Sequence, residues 1–297
     1  MCLKDVLHRT IACIVLSFRW HKYDVLIVDS SVTALLLSLL SMGSKGNRKL
    51  VINNFNVPRR RTGFWKWIEK LLFQRVDFFF AHSRHDIPLA GELYNIEEQR
   101  LAFRPIVRTK PTSGNASVKY LFEDKRPFVM SYGGNARDYT TFFKAIEGTD
   151  LSAIVVARQY NIKDLKVPDN VRVFCNIPLA ECDKLVRECE YTVFTFDGSE
   201  PSCGQVSIVT SFLLGKPVIC TDWVGIADYV SDGINGMLVK MSDVKDLRTK
   251  MVELFENQQL RSRLSAGARL WARDNCDISV AQAKVDDLVT KLTAANS

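Results

Sequence analysis

Glu200-Pro201-Ser202-Cys203-Gly204-Gln205-Val206-Ser207 lies between the unbroken apolar run Tyr191–Phe196 and the helical spacing of Val206–Leu214, and Gly215-Lys216-Pro217-Val218-Ile219-Cys220-Thr221-Asp222 follows at once. A run that is apolar at consecutive positions is a strand covered on both faces, as in a parallel sheet. Strand, turn, helix and strand in that order make a β-α-β unit, so the fold class is α/β. A glycine with small polar neighbours at a helix start exposes unpaired backbone N–H groups beside the positive end of the helix dipole. That is how a phosphate is cradled. The hydroxyls of Ser202 and Ser207 add donors, and a side chain at Gly204 is expected to block the N–H groups without unfolding the domain. A plain N-cap behind a tight turn is the alternative.

The alternation continues in both directions. Strands are expected at 127–132, 153–157, 171–175 and 237–240, with helices at 139–147, 179–188, 244–255 and from 260 to near the end. Upstream, strands at 23–29, 49–54, 76–82 and 100–104 alternate with helices at 33–42, 64–75 and 86–94, and a helix over 3–19 comes first. Between the two series, Thr109-Lys110-Pro111-Thr112-Ser113-Gly114-Asn115-Ala116-Ser117 has turn formers and no apolar period, which reads as a linker. The expected organisation is an N-terminal Rossmann-like domain over 1–112 and a second over 118–275. A closing helix over 276–297 is expected to cross back to the first.

The 297 residues suit about two domains at the usual ~150 each. With 47% hydrophobic and 25% charged residues the composition is globular, which excludes a disordered or low-complexity chain. No apolar run reaches the ~18 residues of a spanning helix. Eight scattered cysteines without a Cys-x-x-Cys pair, and no secretory leader pattern, fit free thiols in a reducing cytosol. A net charge of +7 admits an anionic ligand or surface, and no nucleic-acid motif accompanies it.

The segment from Gly204 to Val239, with Gly215-Lys216-Pro217-Val218-Ile219 and Asp232-Gly233-Ile234-Asn235-Gly236-Met237-Leu238-Val239, resembles the donor-binding segment of retaining GT-B glycosyltransferases of the group 1 (family 4) kind. Ser131-Tyr132-Gly133-Gly134-Asn135-Ala136-Arg137-Asp138-Tyr139 resembles the first loop of that donor domain, and 271–280 its closing helix. The resemblance implies two Rossmann-like domains facing a cleft. It also implies transfer of a sugar, with retention, from a nucleotide-diphosphate sugar to a glycan or lipid-linked acceptor, with no metal and no cofactor beyond the donor. Donor contacts would come from Gly133, Gly134, Asn135, Asn176, Ile177, Ser202, Cys203, Gly204, Gln205, Val206, Ser207 and Thr210. Arg137 and Arg158, both after expected strand ends, would be exposed in the cleft and neutralise the departing diphosphate; Glu200 would sit near the donor sugar. Solvated loop arginines are the alternative for both.

The chain departs from the family in three places. The second acidic residue that holds the ribose would fall on Ile208 or Thr210, neither a carboxylate. Asn53-Asn54-Phe55-Asn56 stands where a histidine is usual, and the first strand with its glycine-rich loop is missing. A second function reading follows: a weakened or inactive relative that binds nucleotide or glycan or partners an active transferase.

His82-Ser83-Arg84-His85-Asp86 offers too few ligands for zinc, since His8 and His21 are the only other histidines. Arg59–Arg75 carries six basic residues and one acid, with Trp65, Ile68 and Leu72 on one helical face and Trp67 off it. It reads either as a helix lying on an anionic membrane surface, with peripheral attachment, or as a helix packed on the sheet with solvated charges. Cys175, Cys182 and Cys189 at sevenfold spacing read as buried positions.

Overall fold

In a computed structural model, residues 3–40, 47–57, 62–111 and 114–294 are described. They divide into two compact units. One comprises the chain up to Pro105 together with the residues from Ala281 onward, and the other spans Ile106–Val280.

The first unit begins with α1 (Leu3–Arg19), followed by β1 (Val25–Val28), α2 (Ser31–Leu40), β2 (Lys49–Phe55), α3 (Gly63–Phe73), β3 (Phe78–Ala81), α4 (Asp86–Tyr94) and β4 (Leu101–Phe103). The four strands are parallel and lie in chain order. Phe55, Phe73 and Phe79 meet edge to face at 4.9–5.9 Å in the core, and Phe73 meets Tyr94 at 5.1 Å. The β2–β3 register shifts between Ile52 and Phe55, so Asn53 and Asn54 leave the regular ladder.

The second unit runs β5 (Val129–Tyr132), α5 (Tyr139–Ile146), β6 (Ala153–Ala157), α6 (Gln159–Ile162), β7 (Val171–Cys175), α7 (Leu179–Glu188), β8 (Thr192–Phe194), α8 (Gln205–Leu213), β9 (Val218–Thr221), β10 (Gly236–Val239), α9 (Val244–Glu256) and α10 (Gln258–Cys276). Its six strands are all parallel in the order β10-β9-β8-β5-β6-β7. Alternate residues serve opposite faces. Met130, Ile154, Phe194 and Cys220 enter one core layer, and Val129, Val155, Val193 and Ile219 the other. Two buried faces per strand explain the unalternating sequence runs. Side-chain caps start α5, α9 and α10, with Asp138, Asp243 and Asn257 accepting from the backbone N–H three residues on at 2.9 Å.

The final helical stretch is two helices. Asp277 (φ −64°, ψ 136°) leaves the helix after α10, and its carboxylate accepts from Ser279 N at 2.8 Å and Ser279 Oγ at 2.6 Å to open α11 (Ile278–Ala294). The residues of α11 from Ala281 belong to the first unit, where Leu288 packs with Val51 and Phe80, and Val285 and Leu292 flank it. The unit boundary differs from the expected 112–118. Residues 106–111 and 114–117 pack into the second unit, because Ile106 N–H donates to Tyr229 Oη at 3.2 Å, Arg108 pairs with Asp183 at 2.6 Å and Ala116 N–H donates to Glu188 Oε1 at 2.6 Å. Thr112 and Ser113 lie outside the described residues. Among the described residues no helix is long and apolar enough to cross a membrane.

Candidate functional site

In an open parallel sheet, ligands bind beyond the carboxyl ends of the strands where the strand order reverses. In the second unit that point lies between β5 and β8, the neighbours from which the sheet grows both ways. The loop after β5 holds Gly133, Gly134, Asn135 and Arg137; Arg158 follows β6; Asn176 and Ile177 follow β7; the loop from Glu200 to Gly204 lies between β8 and α8.

Arg137 organises the first two of these segments, and the structure corrects its expected exposure: it is 8% exposed. Its Nε–H donates to Tyr132 O at 3.2 Å, Nη1 to Asn135 O at 3.2 Å, and Nη2 to Ser207 Oγ at 3.0 Å on the first turn of α8. The guanidinium lies over the rings of Phe196 at 4.8 Å and Phe194 at 5.3 Å. Gly133 makes room for it, since a Cβ there (φ +121°) would stand 2.7 Å from Arg137 Nη2. Burial lowers the arginine's pKa from its ordinary value. Such a group still keeps its proton at neutral pH. Among the described residues no carboxylate pairs with it; its hydrogen-bond partners are two carbonyls and a hydroxyl.

Arg158 is exposed, as expected, and its Nη1 donates to Asn176 Oδ1 at 3.3 Å. A Cβ on Gly134 would lie 2.8 Å from Arg158 Cγ, while Asn161 Nδ2 donates to Gly134 O at 2.8 Å. The glycine pair thus lets both arginines lie against the β5 loop. Asn176 adopts a left-handed φ of +55°, which asparagine tolerates. Ile177 is half-buried on the core layer that contains Cys182 and Leu185.

The turn before α8 has a different logic from the one its sequence suggests. Gly204 (φ +88°) is the residue before α8, and a Cβ there would stand 2.3 Å from Phe196 Cζ. The glycine is therefore required by the core behind it, and the expectation of a substitution harmless to folding is corrected. Cys203 is buried, and burial pushes its thiol up to about 11, so it is a neutral packing group. Gln205 is also buried and donates from Nε2 to Gly225 O at 3.0 Å. Gly225 escaped the sequence reading altogether. A Cβ there would lie 1.8 Å from Pro201 O, so the 200–204 loop rests directly on its backbone. Glu200 and Ser202 are half-buried, Val206 is exposed, and Glu200 O accepts from Trp223 Nε1 at 3.1 Å. Tyr139, also missed, donates from Oη to Gly133 O at 2.8 Å and fixes the β5 loop.

Thr210 is the third correction. It is 1% exposed, donates to Val206 O at 2.7 Å and accepts a short hydrogen bond from Arg108 Nη1, whose Nη2 holds Asp183 at 2.6 Å. Its hydroxyl is committed inside the fold, and Ile208 is fully buried. Neither position offers a ribose anything.

In the first unit, His82 has both ring nitrogens engaged, Nδ1 with Arg104 O and Nε2 with Asn54 Oδ1, each at 2.8 Å. Burial lowers its pKa. Arg59, Arg60 and Arg61 lie outside the described residues. The rest of that stretch, α3, buries Glu69, Leu72 and Phe73. Trp65, expected on one face with Ile68 and Leu72, is 63% exposed while Leu72 is buried, alongside Phe64 at 66% and Trp67 at 58%.

Residues 157–271 match the family described as glycosyl transferases group 1. The uncharacterized glycosyltransferase MJ1178 of Methanocaldococcus jannaschii is 30% identical over 93 residues, 31% of this chain and 26% of that protein, so the match spans about a quarter of the relative. Anabaena HepE, solved with UDP and with UDP-glucose, superposes with a TM-score of 0.75 at 16% identity, over 94% of this chain and 82% of its own. Sucrose-phosphate synthase from Thermosynechococcus elongatus gives 0.74 at 12% identity, over 99% and 81%. The chain therefore has the GT-B fold, and over residues 157–271 it resembles the group 1 glycosyl transferases.

Proposed function

We propose that the protein is a glycosyltransferase that takes a sugar from a nucleoside-diphosphate sugar and passes it, with retention and without a metal ion, to a glycan or lipid-linked acceptor. The observation that carries this reading is the Arg137 guanidinium, sequestered at the switch point of the sheet with neutral hydrogen-bond partners and no ion pair among the described residues. A fixed cation at that point stabilises the charge that develops on a departing diphosphate. The α8 N-terminus adds its dipole, and Arg158 supplies a second, exposed cation. HepE, of the same fold, holds UDP and UDP-glucose, which supports the donor class.

Nucleotide release across a panel of sugar donors tests the proposal. One donor is expected to give release that depends on acceptor and is unaffected by chelator. Arg158→Ala is expected to lower that turnover by about tenfold or more while melting like the parent, because its side chain is exposed. Abolition by chelator with recovery on adding magnesium would defeat the metal-free model. No release with any donor, despite nucleotide binding, would favour a non-catalytic relative, the reading that the buried Ile208 and Thr210 support.

We also infer peripheral attachment to an anionic membrane through the first unit. Phe64, Trp65 and Trp67 on α3, Ile11, Ile14 and Phe18 on α1 and Leu39 on α2 are all exposed, with Lys66 and Lys70 among the aromatics. Aromatic rings beside basic residues suit the headgroup layer. Co-sedimentation with vesicles containing anionic lipid is expected, weakening as salt shortens the ~8 Å screening length. Trp65→Ser/Trp67→Ser is expected to abolish it, and equal sedimentation of the double variant would refute the contact surface.

A further inference from the structure

The second unit contains a cavity of about 590 Å³ well away from the loops that follow its strands. It opens at the carboxyl end of α8, whereas the Gly204 turn precedes the amino end, and nine helical residues at ~1.5 Å each separate the two. Its volume falls within the ~300–1,000 Å³ of small-molecule sites. Half-buried Leu213 and Leu214, at and just past the end of α8, form an apolar floor backed by the buried Phe212, Ala272 and Cys276, and Ile278 is exposed beside it.

Around that floor the charge is strongly one-sided. Arg108, Lys110, Arg187, Arg269 and Arg273 line the cavity, and Asp277 is the single acid among the lining residues. Asp277 is already engaged by Ser279. Arg108 is neutralised by Asp183 and Arg273 by Asp274. Lys110 and Arg269 make no ion pair among the described residues, and both are exposed. Arg269 lies across Gly215, whose missing Cβ would stand 2.7 Å from its Nη1. The α8 carbonyls that would repel an anion are partly capped: Ser211 O accepts from Lys216 N at 2.8 Å and Phe212 O from Gly215 N at 2.9 Å.

An apolar floor beneath unpaired cations fits neither a sugar nor a plain hydrocarbon. We propose that this cavity binds a single-chain anionic amphiphile, with a phosphate monoester head at Lys110 and Arg269 and a hydrocarbon tail on the Leu213–Leu214 floor past Ile278. The site is separate from the donor loops and does not depend on what they bind.

Titration calorimetry of the full chain with dodecyl phosphate, below its micelle concentration, tests this. Saturable one-to-one binding is expected, unaffected by uridine diphosphate. Lys110→Gln/Arg269→Gln is expected to weaken it at least tenfold and Ile278→Glu similarly. Should the double variant fail to fold, Lys110→Gln alone, at an exposed side chain, keeps the test open with an expected loss of severalfold. Dodecyl maltoside is expected not to bind, and inorganic phosphate to bind at least tenfold more weakly. Unchanged affinity in the charge and Ile278 variants, equal affinity for inorganic phosphate or for dodecyl maltoside, or displacement by uridine diphosphate would each overturn the proposal.

Discussion

Arg137→Ala is expected to lose turnover by about a hundredfold or more, the usual effect of removing a preorganised charge aimed at a leaving group, and also to melt earlier than the parent. The second effect follows from burial. Truncation leaves Tyr132 O and Asn135 O without their donor and removes the guanidinium from between the rings of Phe194 and Phe196. Tyr132 is buried, and a buried carbonyl left unpaired costs ~1–3 kcal/mol, whereas Asn135 is exposed and water replaces its donor. Arg137→Lys retains the charge but not the three-way fork, so it is expected to recover part of the stability and little of the turnover. Nucleotide-induced stabilisation separates the two roles. At a hundredfold excess over the dissociation constant a ligand adds ~2.7 kcal/mol to the parent, and the alanine variant is expected to show almost none. Normal turnover in folded Arg137→Ala would remove this residue from the chemistry.

Gly204→Ala is expected to lose much stability, since a Cβ there meets the Phe196 ring at 2.3 Å on a left-handed backbone. A left-handed backbone costs a non-glycine residue about 1–2 kcal/mol, and the clash with Phe196 adds about 1–3 kcal/mol of overpacking. Together, about 2–5 kcal/mol lowers the melting temperature of a unit this size by roughly 5–20 °C. Gly204→Ala/Phe196→Leu, which trades the ring for a smaller side chain, is expected to recover the packing share but not the backbone share. Urea unfolding with the midpoint unchanged in Gly204→Ala would show that the ring yields freely.

The strands were legible because each is covered on both faces, so Tyr191–Phe196 and Pro217–Thr221 read as buried runs without knowledge of their neighbours. The strand-end positions of Arg137 and Arg158 were legible for the same reason. The burial of Arg137 was not, because its hydrogen-bond partner Ser207 lies 70 residues away and the rings above it belong to β8 and the loop that follows. Thr210 could be aligned but not oriented, since Arg108, which claims its hydroxyl, lies 102 residues away, just before the stretch read as linker. The outward turn of Trp65 was hidden because apolar spacing cannot distinguish a face that packs from a face left open. The closing helix was expected from 276, beside the observed break at Asp277, although the helical spacing itself runs on from 260 without marking it.

The return of α11 to the first unit has a consequence in time. Val51 and Phe80 are made early in synthesis, but Leu288, which covers them, follows the whole second unit. About 180 residues separate β4 from Val285, on the order of ten to forty seconds of elongation at ~5–20 residues per second. For that interval one side of the four-stranded sheet has no lid. The second unit can close on itself while the first still exposes that apolar face to water.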